Sequence, residues 1–192
     1  MDSSALCRSR ILTAAQELYG RGTFHALSIR GLAAAAGVTA ATITRHFPDN
    51  DALLDGMADR GFELLEGYLH RGSGARSPES VLLAFLEFAL EHRTEFDVMF
   101  LTPRRELRRF PSDFEKRRSI TFRLACEAVQ YFMREGALKP DDPLETTLTL
   151  WAHAHGLISM YFVGRFGRDP DRFRELYRRS IERVLNGLLT TR

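Results

Sequence analysis

The stretch of sequence that decides the fold lies between residues 24 and 54. Its centre reads Gly37-Val38-Thr39-Ala40-Ala41-Thr42-Ile43-Thr44-Arg45-His46-Phe47, and Pro48 follows. Upstream, Ser28 is a favourable N-cap, and apolar residues then recur at helical spacing until Gly37, which readily adopts the left-handed conformation that ends a helix. Thr39 is placed to cap a second short helix. The sequence therefore predicts two short helices joined by a tight turn.

The second of these helices is predicted to have two unlike faces. Ile43 and Phe47 lie one turn apart and are expected to point inward, whereas Ala41 and Arg45 point the opposite way. The outward face is small, polar and basic, which suits a helix that enters the major groove of DNA. Periodicity alone fits an ordinary helical hairpin in a larger bundle equally well, so both interpretations stay open here.

Several short motifs between positions 8 and 56 occur together in register. They are Arg10 to Tyr19, Gly22, Phe24, Ser28-Ile29-Arg30, Leu32-Ala33, Ala36-Gly37-Val38-Thr39, Thr42-Ile43, His46-Phe47-Pro48 and Ala52-Leu53-Leu54. Together they resemble the N-terminal domain of the TetR family of bacterial transcriptional regulators, and the resemblance weakens beyond residue 56. It implies a three-helix helix-turn-helix head that binds double-stranded DNA.

The resemblance also assigns roles on this head. It places Arg30, Ala40, Ala41 and Arg45 where the family meets base edges, and Thr42, Thr44 and His46 where it meets the DNA backbone. The caps Ser28 and Thr39 complete the candidate DNA-binding set. Two positions depart from the family, which usually has Tyr where this chain has Thr44 and Lys where it has Asn50. Both usual residues contact phosphate, so their loss predicts weaker non-specific binding.

Composition is that of an ordinary globular protein, with 44% apolar residues, 27% charged residues and a formal net charge of +2. The charge is unevenly distributed, because residues 1–48 carry a net +3 and the remainder a net −1. The two cysteines have no metal-binding spacing, and no apolar run is long enough to span a membrane. We expect a cytoplasmic protein without a metal, cofactor or membrane partner.

Beyond the head, the positions of N-caps, glycines and prolines predict only helices, and hence an all-α protein of about nine helices. We expect a helix-turn-helix domain over residues 1–48, a connecting helix over 49–71 and a ligand-binding and dimerisation domain over 72–192. A Gly-rich loop is expected from His70 to Ser77, and helices are expected from Thr94 to Pro103 and from Ser112 to Gly136. Three later helices are predicted to begin with an N-cap followed by proline, at Ser77, Asp142 and Asp169.

The C-terminal part of the chain is rich in aromatic residues, holding 11 of the 14 phenylalanines and the single tryptophan after residue 72. Aromatic and Met side chains suit a pocket for a flat or apolar effector, and they equally suit a filled core. The candidate pocket residues are Phe85, Phe88, Met99, Phe100, Phe122, Cys126, Trp151, His155 and Phe162. Buried thiols tend to be inert, which disfavours a thiol sensor at Cys126.

Trp151 and His155 lie four residues apart and precede Gly156. The segment resembles a Trp/His-Gly signature in the C-terminal domain of one TetR subgroup. His153 and His155 do not converge on one helix face, so a metal site is not predicted.

The last predicted helix carries an apolar stripe that suits a dimer interface together with the end of the preceding helix. The candidate interface residues are Ile158, Tyr161, Phe162, Tyr177, Ile181, Val184, Leu185 and Leu188. Alternatively, the stripe packs on its own body and the interface lies elsewhere.

The expected function is a homodimeric, ligand-responsive repressor that binds a palindromic operator and is released by a small apolar or aromatic effector. The chain offers no nucleophile paired with a base, no paired inward carboxylates and no glycine-rich phosphate loop, so an enzyme is not expected. The alternative is a small-molecule carrier or enzyme with a vestigial DNA-binding head.

Overall fold

The computed structural model describes residues 3–20, 28–74, 77–103, 112 and 120–188 of the chain. These residues form nine α-helices and one π-helical turn, and among them the single backbone bridge, between Arg165 and Gly167, does not extend into a strand. The elements are α1 (Ser3–Gly20), α2 (Ile29–Ala36), α3 (Ala40–His46), α4 (Asn50–Gly74), α5 (Pro78–Glu91), α6 (Arg93–Phe96), the π-helical turn (Asp97–Leu101), α7 (Ile120–Arg134), α8 (Pro143–Phe162) and α9 (Pro170–Leu188). The predicted all-α class is confirmed.

The three helices predicted to begin with an N-cap and a proline do so. Ser77 Oγ accepts a hydrogen bond from the Ser80 N–H at 3.1 Å before α5. Asp142 Oδ1 accepts from the Leu144 and Glu145 N–H groups at 2.7 and 3.0 Å before α8. Asp169 Oδ1 does the same before α9. Each cap satisfies donors that the first helical turn leaves unpaired.

The chain divides into two compact units. The N-terminal unit comprises residues 1–62 and 92–107, and the C-terminal unit comprises residues 63–91 and 108–192. Helix α4 contributes to both, since Asn50 to Phe62 belongs to the first and Glu63 to Gly74 to the second. No pattern in the sequence predicted that residues 92–107 join the N-terminal unit.

Residues 92–103 are held in the N-terminal unit by contacts with α1 and α4. The Tyr19 hydroxyl lies 2.6 Å from Thr102 Oγ1. Phe100 meets Phe62 edge to face, with ring centroids 6.0 Å apart. The predicted short helix before Pro103 is present as α6 and the π-helical turn. The helix predicted from Ser112 to Gly136 falls partly outside the described residues, and its described part is α7.

The C-terminal unit has its own apolar core, which α9 shares with α5. Tyr177 is fully buried, its hydroxyl donates to the Leu82 carbonyl at 2.9 Å, and this burial raises the pKa of the tyrosine above its usual value. At the rim, Arg174 makes a bidentate hydrogen-bonded ion pair with Glu87, with distances from 2.8 to 3.2 Å. Two helices are thereby fixed by a buried hydrogen bond and an ion pair on neighbouring turns.

The loop predicted from His70 is wrong at its start, because α4 continues through Gly74. Gly72 allows helix packing here instead of ending the helix. The Ser80 hydroxyl donates to the Gly72 carbonyl at 2.6 Å, and a Cβ at Gly72 would lie 2.8 Å from both Ala84 Cβ and the Ser80 carbonyl oxygen. Only glycine permits this approach of α5.

We expect Gly72→Ala to lower the free energy of unfolding by about 1–3 kcal/mol, because the added methyl group overpacks the contact with α5. Gly67, in the same helix, is the matched control, since its nearest neighbour would be the flexible end of Arg71 at 3.7 Å. Gly67→Ala should raise stability by about 0.5–1 kcal/mol through the unfolded state. Urea unfolding followed by circular dichroism checks both, and equal effects would contradict the packing argument.

Candidate nucleic-acid interface

Helix α2 begins and ends as its sequence predicts. Ser28 Oγ accepts a hydrogen bond from the Gly31 N–H at 3.0 Å, and Leu32, Ala33 and Ala36 are buried. Gly37 has φ 63° and ψ 40°, the left-handed conformation that allows the chain to leave the helix abruptly. Both ends of α2 are therefore determined by local chemistry.

Helix α3 presents the two faces that its sequence predicts. Thr39 caps it by accepting a hydrogen bond from the Thr42 N–H at 3.2 Å, and Ile43 and Phe47 are buried with 3% and 4% exposure. Ala41 and Arg45 lie on the opposite, exposed face. Burial of the inward pair fixes which side of this short helix meets solvent.

Most of the candidate DNA-binding residues lie at the surface of the N-terminal unit. Ser28, Arg30, Thr39, Ala40, Ala41, Thr44 and Arg45 are exposed, whereas Thr42 and His46 are half-buried. Helices α2 and α3 pack on each other and bring these residues onto two consecutive elements. His46 Nε2 is enclosed and has no hydrogen-bond partner, so this nitrogen reaches phosphate only if the ring turns.

Only some of the basic residues of the N-terminal unit are available to a ligand. Within the described part of the chain, no hydrogen bond or ion pair engages the guanidinium of Arg30 or Arg45. Arg8 instead lies over the Phe47 ring, 5.1 Å from its centroid, and Arg10 donates to the Ala36 carbonyl at 2.7 Å. Helical periodicity carries no signal for these two contacts, and sequence reasoning missed them. Arg21 lies outside the described residues.

The structure shows the surroundings of Thr44 and Asn50, the two residues that depart from the family pattern. The Thr44 hydroxyl is turned back onto its own helix, 3.2 Å from the Ala41 carbonyl and 3.4 Å from that of Ala40. Asn50 is exposed in the first turn of α4, beside Asp49, whose Oδ1 accepts from the Ala52 N–H at 2.8 Å. Acidic Asp49 suits the start of a helix but repels phosphate.

The candidate pocket residues fall into both units. Met99 and Phe100 belong to the N-terminal unit, and Met99 packs where a side chain at Gly61 would otherwise lie. In the C-terminal unit, Phe85, Phe88 and Phe122 are buried in the core, whereas Cys126, Trp151, His155 and Phe162 are half-buried. The set does not form one cluster within a single unit.

His155 is a candidate pocket residue with a shifted titration. Its ring centroid lies 5.2 Å from that of Trp151, and burial lowers the pKa of the imidazole below its usual value. It is therefore neutral at pH 7, able to donate from one ring nitrogen and accept at the other. His153 instead lies 3.0 Å from Ser180 Oγ and joins α8 to α9.

Half of the candidate interface residues are already buried within the C-terminal unit. Ile158, Tyr177, Ile181 and Leu185 are from 0% to 5% exposed in the single chain, as expected if the stripe packs on its own body. Tyr161, Phe162, Val184 and Leu188 are half-buried. Helix α8 presents a different strip, formed by the exposed Thr149, Ala152 and Met160 with the half-buried Gly156 between them, and Val163 follows at 70% exposure.

Two family models match the sequence. The model described as bacterial regulatory proteins of the tetR family matches residues 11–57, and the tetracyclin repressor-like C-terminal domain matches residues 79–184. The second alone covers more than half of the chain. No protein of curated function gives a significant sequence match.

Solved structures share the fold over nearly the whole chain. A protein of unknown function from Rhodococcus sp. RHA1 is 26% identical with a TM-score of 0.78, covering 96% of both chains. NalD from Pseudomonas aeruginosa, the secondary repressor of the MexAB-OprM multidrug efflux pump, is 25% identical with a TM-score of 0.65 and 98% of both chains covered. PfmR, a TetR family transcriptional regulator from Thermus thermophilus, is 20% identical with a TM-score of 0.66 over 96% and 98% of the two chains, which shows the fold alone.

Proposed function

Because the chain belongs to the TetR family of bacterial regulatory proteins, we propose that it is a homodimeric, ligand-responsive repressor that binds a palindromic DNA operator. As a regulator bound to bacterial DNA it acts in the cytoplasm. Among the described residues, no helix has both the length and the apolar character that a bilayer span requires. Nor does any group of three or more His, Cys, Asp or Glu side chains in those ranges have metal-binding geometry.

The observation that supports DNA binding most directly is the outward face of α3. Small side chains, Ala40 and Ala41, let the helix approach the floor of a major groove, while Arg45 extends from the same surface. Arg30 stands at the start of α2, and its guanidinium has no partner within the described residues. We assign base contacts to Arg30, Ala40, Ala41 and Arg45 and backbone contacts to Ser28, Thr39, Thr42, Thr44 and His46.

A second copy of the chain is needed to read a palindrome. The open strip on α8 suits this partner, because Gly156 has no atom within 4 Å of a Cβ position and Met160 remains 46% exposed. Small residues let two helices approach closely, and exposed Met and Val side chains supply apolar area. We extend the proposed interface from Tyr161, Phe162, Val184 and Leu188 to this strip. A two-fold dimer would then place two copies of α3 about 34–36 Å apart.

The effector is proposed to bind the C-terminal unit beside the half-buried Trp151, His155, Phe162 and Cys126. Neutral His155 favours an uncharged aromatic or apolar molecule with a hydrogen-bonding group. Helix α4 is continuous through both units, so a ligand that prefers one position of this helix would change the placement of the DNA-binding head. Its effect is limited to its difference in affinity for the two states.

The experiment that tests the proposal is selection of bound sequences from a random DNA pool by the purified full-length protein at a stated moderate salt concentration. Recovery of a two-fold palindrome supports the dimeric repressor. Recovery of no sequence above background would overturn the proposal and favour a carrier or enzyme with a vestigial head. The departures at Thr44 and Asn50 would then explain the loss of DNA binding.

Arg45→Ala should weaken binding to the selected operator by about 1–3 kcal/mol and relax the preference at one position, because a bidentate contact to guanine is lost. Arg45→Lys is the matched control, since it keeps the charge and loses the planar fork. Fluorescence anisotropy with operator variants measures both. An equal loss on every DNA sequence, restored by lysine, would show that Arg45 contacts phosphate instead.

Asn50→Lys should strengthen binding to all DNA sequences alike and make the slope of log K against log salt more negative by about 0.9, because it adds one phosphate contact. Asn50→Gln, which is polar but uncharged, should leave both quantities unchanged. A lysine variant with the wild-type slope would place this turn of α4 away from the DNA.

Met160→Glu should convert the dimer to a monomer, because burying an unpaired carboxylate costs several kcal/mol, on the order of the whole gain from a small interface. Tyr131, which is 38% exposed on α7, provides the control Tyr131→Glu, and this variant should stay dimeric. Sedimentation velocity measures both masses. A dimeric Met160→Glu would move the interface away from the strip on α8.

A further inference from the structure

The end of α2 leaves three carbonyl oxygens without backbone partners. The Gly37 N–H donates to the Ala34 carbonyl at 3.2 Å, and the Val38 N–H donates to the Ala33 carbonyl at 3.0 Å. The next three oxygens along the chain, those of Ala35, Ala36 and Gly37, accept no backbone hydrogen bond among the described residues. They carry the partial negative charge of the helix end and lie directly before the Thr39 cap of α3.

The guanidinium of Arg10 occupies this position. Its Nη2 donates to the Ala36 carbonyl at 2.7 Å and lies 3.3 Å from that of Gly37. The same nitrogen would be 2.9 Å from a Cβ at Gly37, so the guanidinium rests against a glycine that leaves room for it. Within the described ranges, no acidic side chain pairs with Arg10.

A second α1 arginine acts at the other end of α3. Arg8 lies over the ring of Phe47, the residue that caps α3 at its C-terminus by donating its N–H to the Ile43 carbonyl at 2.8 Å. A Cβ at Gly56 would lie 2.8 Å from that ring and 3.1 Å from Arg8 Nη2. The two arginines therefore connect α1 to the segment that precedes α3 and to Phe47, which ends α3. Helix α1 lies outside the two-helix motif itself.

We infer that Arg10 is a positioning residue for sequence discrimination, which fixes α3 by clamping the turn from α2 without contacting DNA. The inference rests on the proposed DNA-binding function. A recognition helix must be held to within about 0.5 Å for its side chains to select bases. Through Arg10, α1 makes two hydrogen bonds to the segment between α2 and α3, in addition to those that the segment makes itself. Arg10 supplies charge-assisted hydrogen bonds at that point.

The test compares Arg10→Gln and Arg10→Lys with Arg165→Gln, which removes one exposed charge from the loop between α8 and α9. Affinities for the selected operator and for unrelated DNA are measured at several salt concentrations. Amide hydrogen exchange of Val38 to Ile43 is measured in the free full-length protein, and thermal unfolding shows whether each variant is folded.

Arg10→Gln is expected to lower operator affinity about tenfold, the factor for one lost hydrogen bond to a charged group, with little effect on unrelated DNA. The salt slope should keep its wild-type value, and exchange at Val38 to Ile43 should accelerate. Arg10→Lys should also keep the wild-type slope and the fold but should retain only part of the discrimination, because an ammonium on a flexible stem does not reproduce the guanidinium fork. Arg165→Gln should match the wild type in discrimination.

Two results would overturn the inference. An equal loss of affinity for both DNAs, with a slope of log K against log salt that is less negative by about 0.9, would make Arg10 a phosphate contact. If Arg10→Gln changes neither the amide hydrogen exchange of Val38 to Ile43 nor the preference for operator over unrelated DNA, the turn keeps its conformation without Arg10. If the wild type prefers no DNA sequence, the proposed function fails and the role in discrimination fails with it, while the exchange measurement still decides whether Arg10 clamps the turn.

Discussion

The placement of α3 depends on the reversal of the chain at Gly37. A residue with a side chain would be strained at φ 63° and would meet the Arg10 guanidinium, so glycine satisfies two constraints at once. Once the turn is made, burial of Ile43 and Phe47 determines the rotation of α3 about its axis. The exposure of Ala41 and Arg45 then follows from the turn and from the apolar pair, because the residues opposite a buried face must meet solvent.

Helix α4 shows how glycine can shape a helix without ending it. At Gly56 the vacant side-chain position is bordered by Phe47, at Gly61 by Met99, and at Gly72 by Ala84 and Ser80. Each neighbour would collide with a Cβ, whereas a Cβ at Gly67 in the same helix would make only ordinary contact with the end of the Arg71 side chain at 3.7 Å. These three glycines thus allow other residues to pack closely against α4 at three positions along its length. Glycine lowers helix propensity, and the packing that it permits offsets this loss.

Local chemistry made much of this fold predictable. The caps at Ser28, Thr39 and Asp142, the left-handed Gly37 and the inward Ile43 each depend on residues within one or two turns, so a single sequence contains the information. The course of α4 beyond His70 was mispredicted, because a glycine that breaks a helix and one that accommodates a neighbour look alike until the neighbour is known. The return of residues 92–103 to the N-terminal unit and the contacts of Arg8 and Arg10 depend on long-range packing, which periodicity does not encode.

The charge distribution of the N-terminal unit limits the affinity of a single copy of the chain for DNA. Arg8 and Arg10 are engaged with the protein. Asp49 precedes α4, and Asn50 and Asp51 begin it, so positive charge toward a phosphate backbone is sparse at this point. Under the proposed function, affinity then depends on the fit of α3 and on two copies binding together, because linking two weak sites makes the second event effectively intramolecular. Such an arrangement is sensitive to spacing. An effector that misplaces one head by a small distance would remove the advantage of paired binding, so its difference in affinity between the two states would have to offset only that advantage to release the operator.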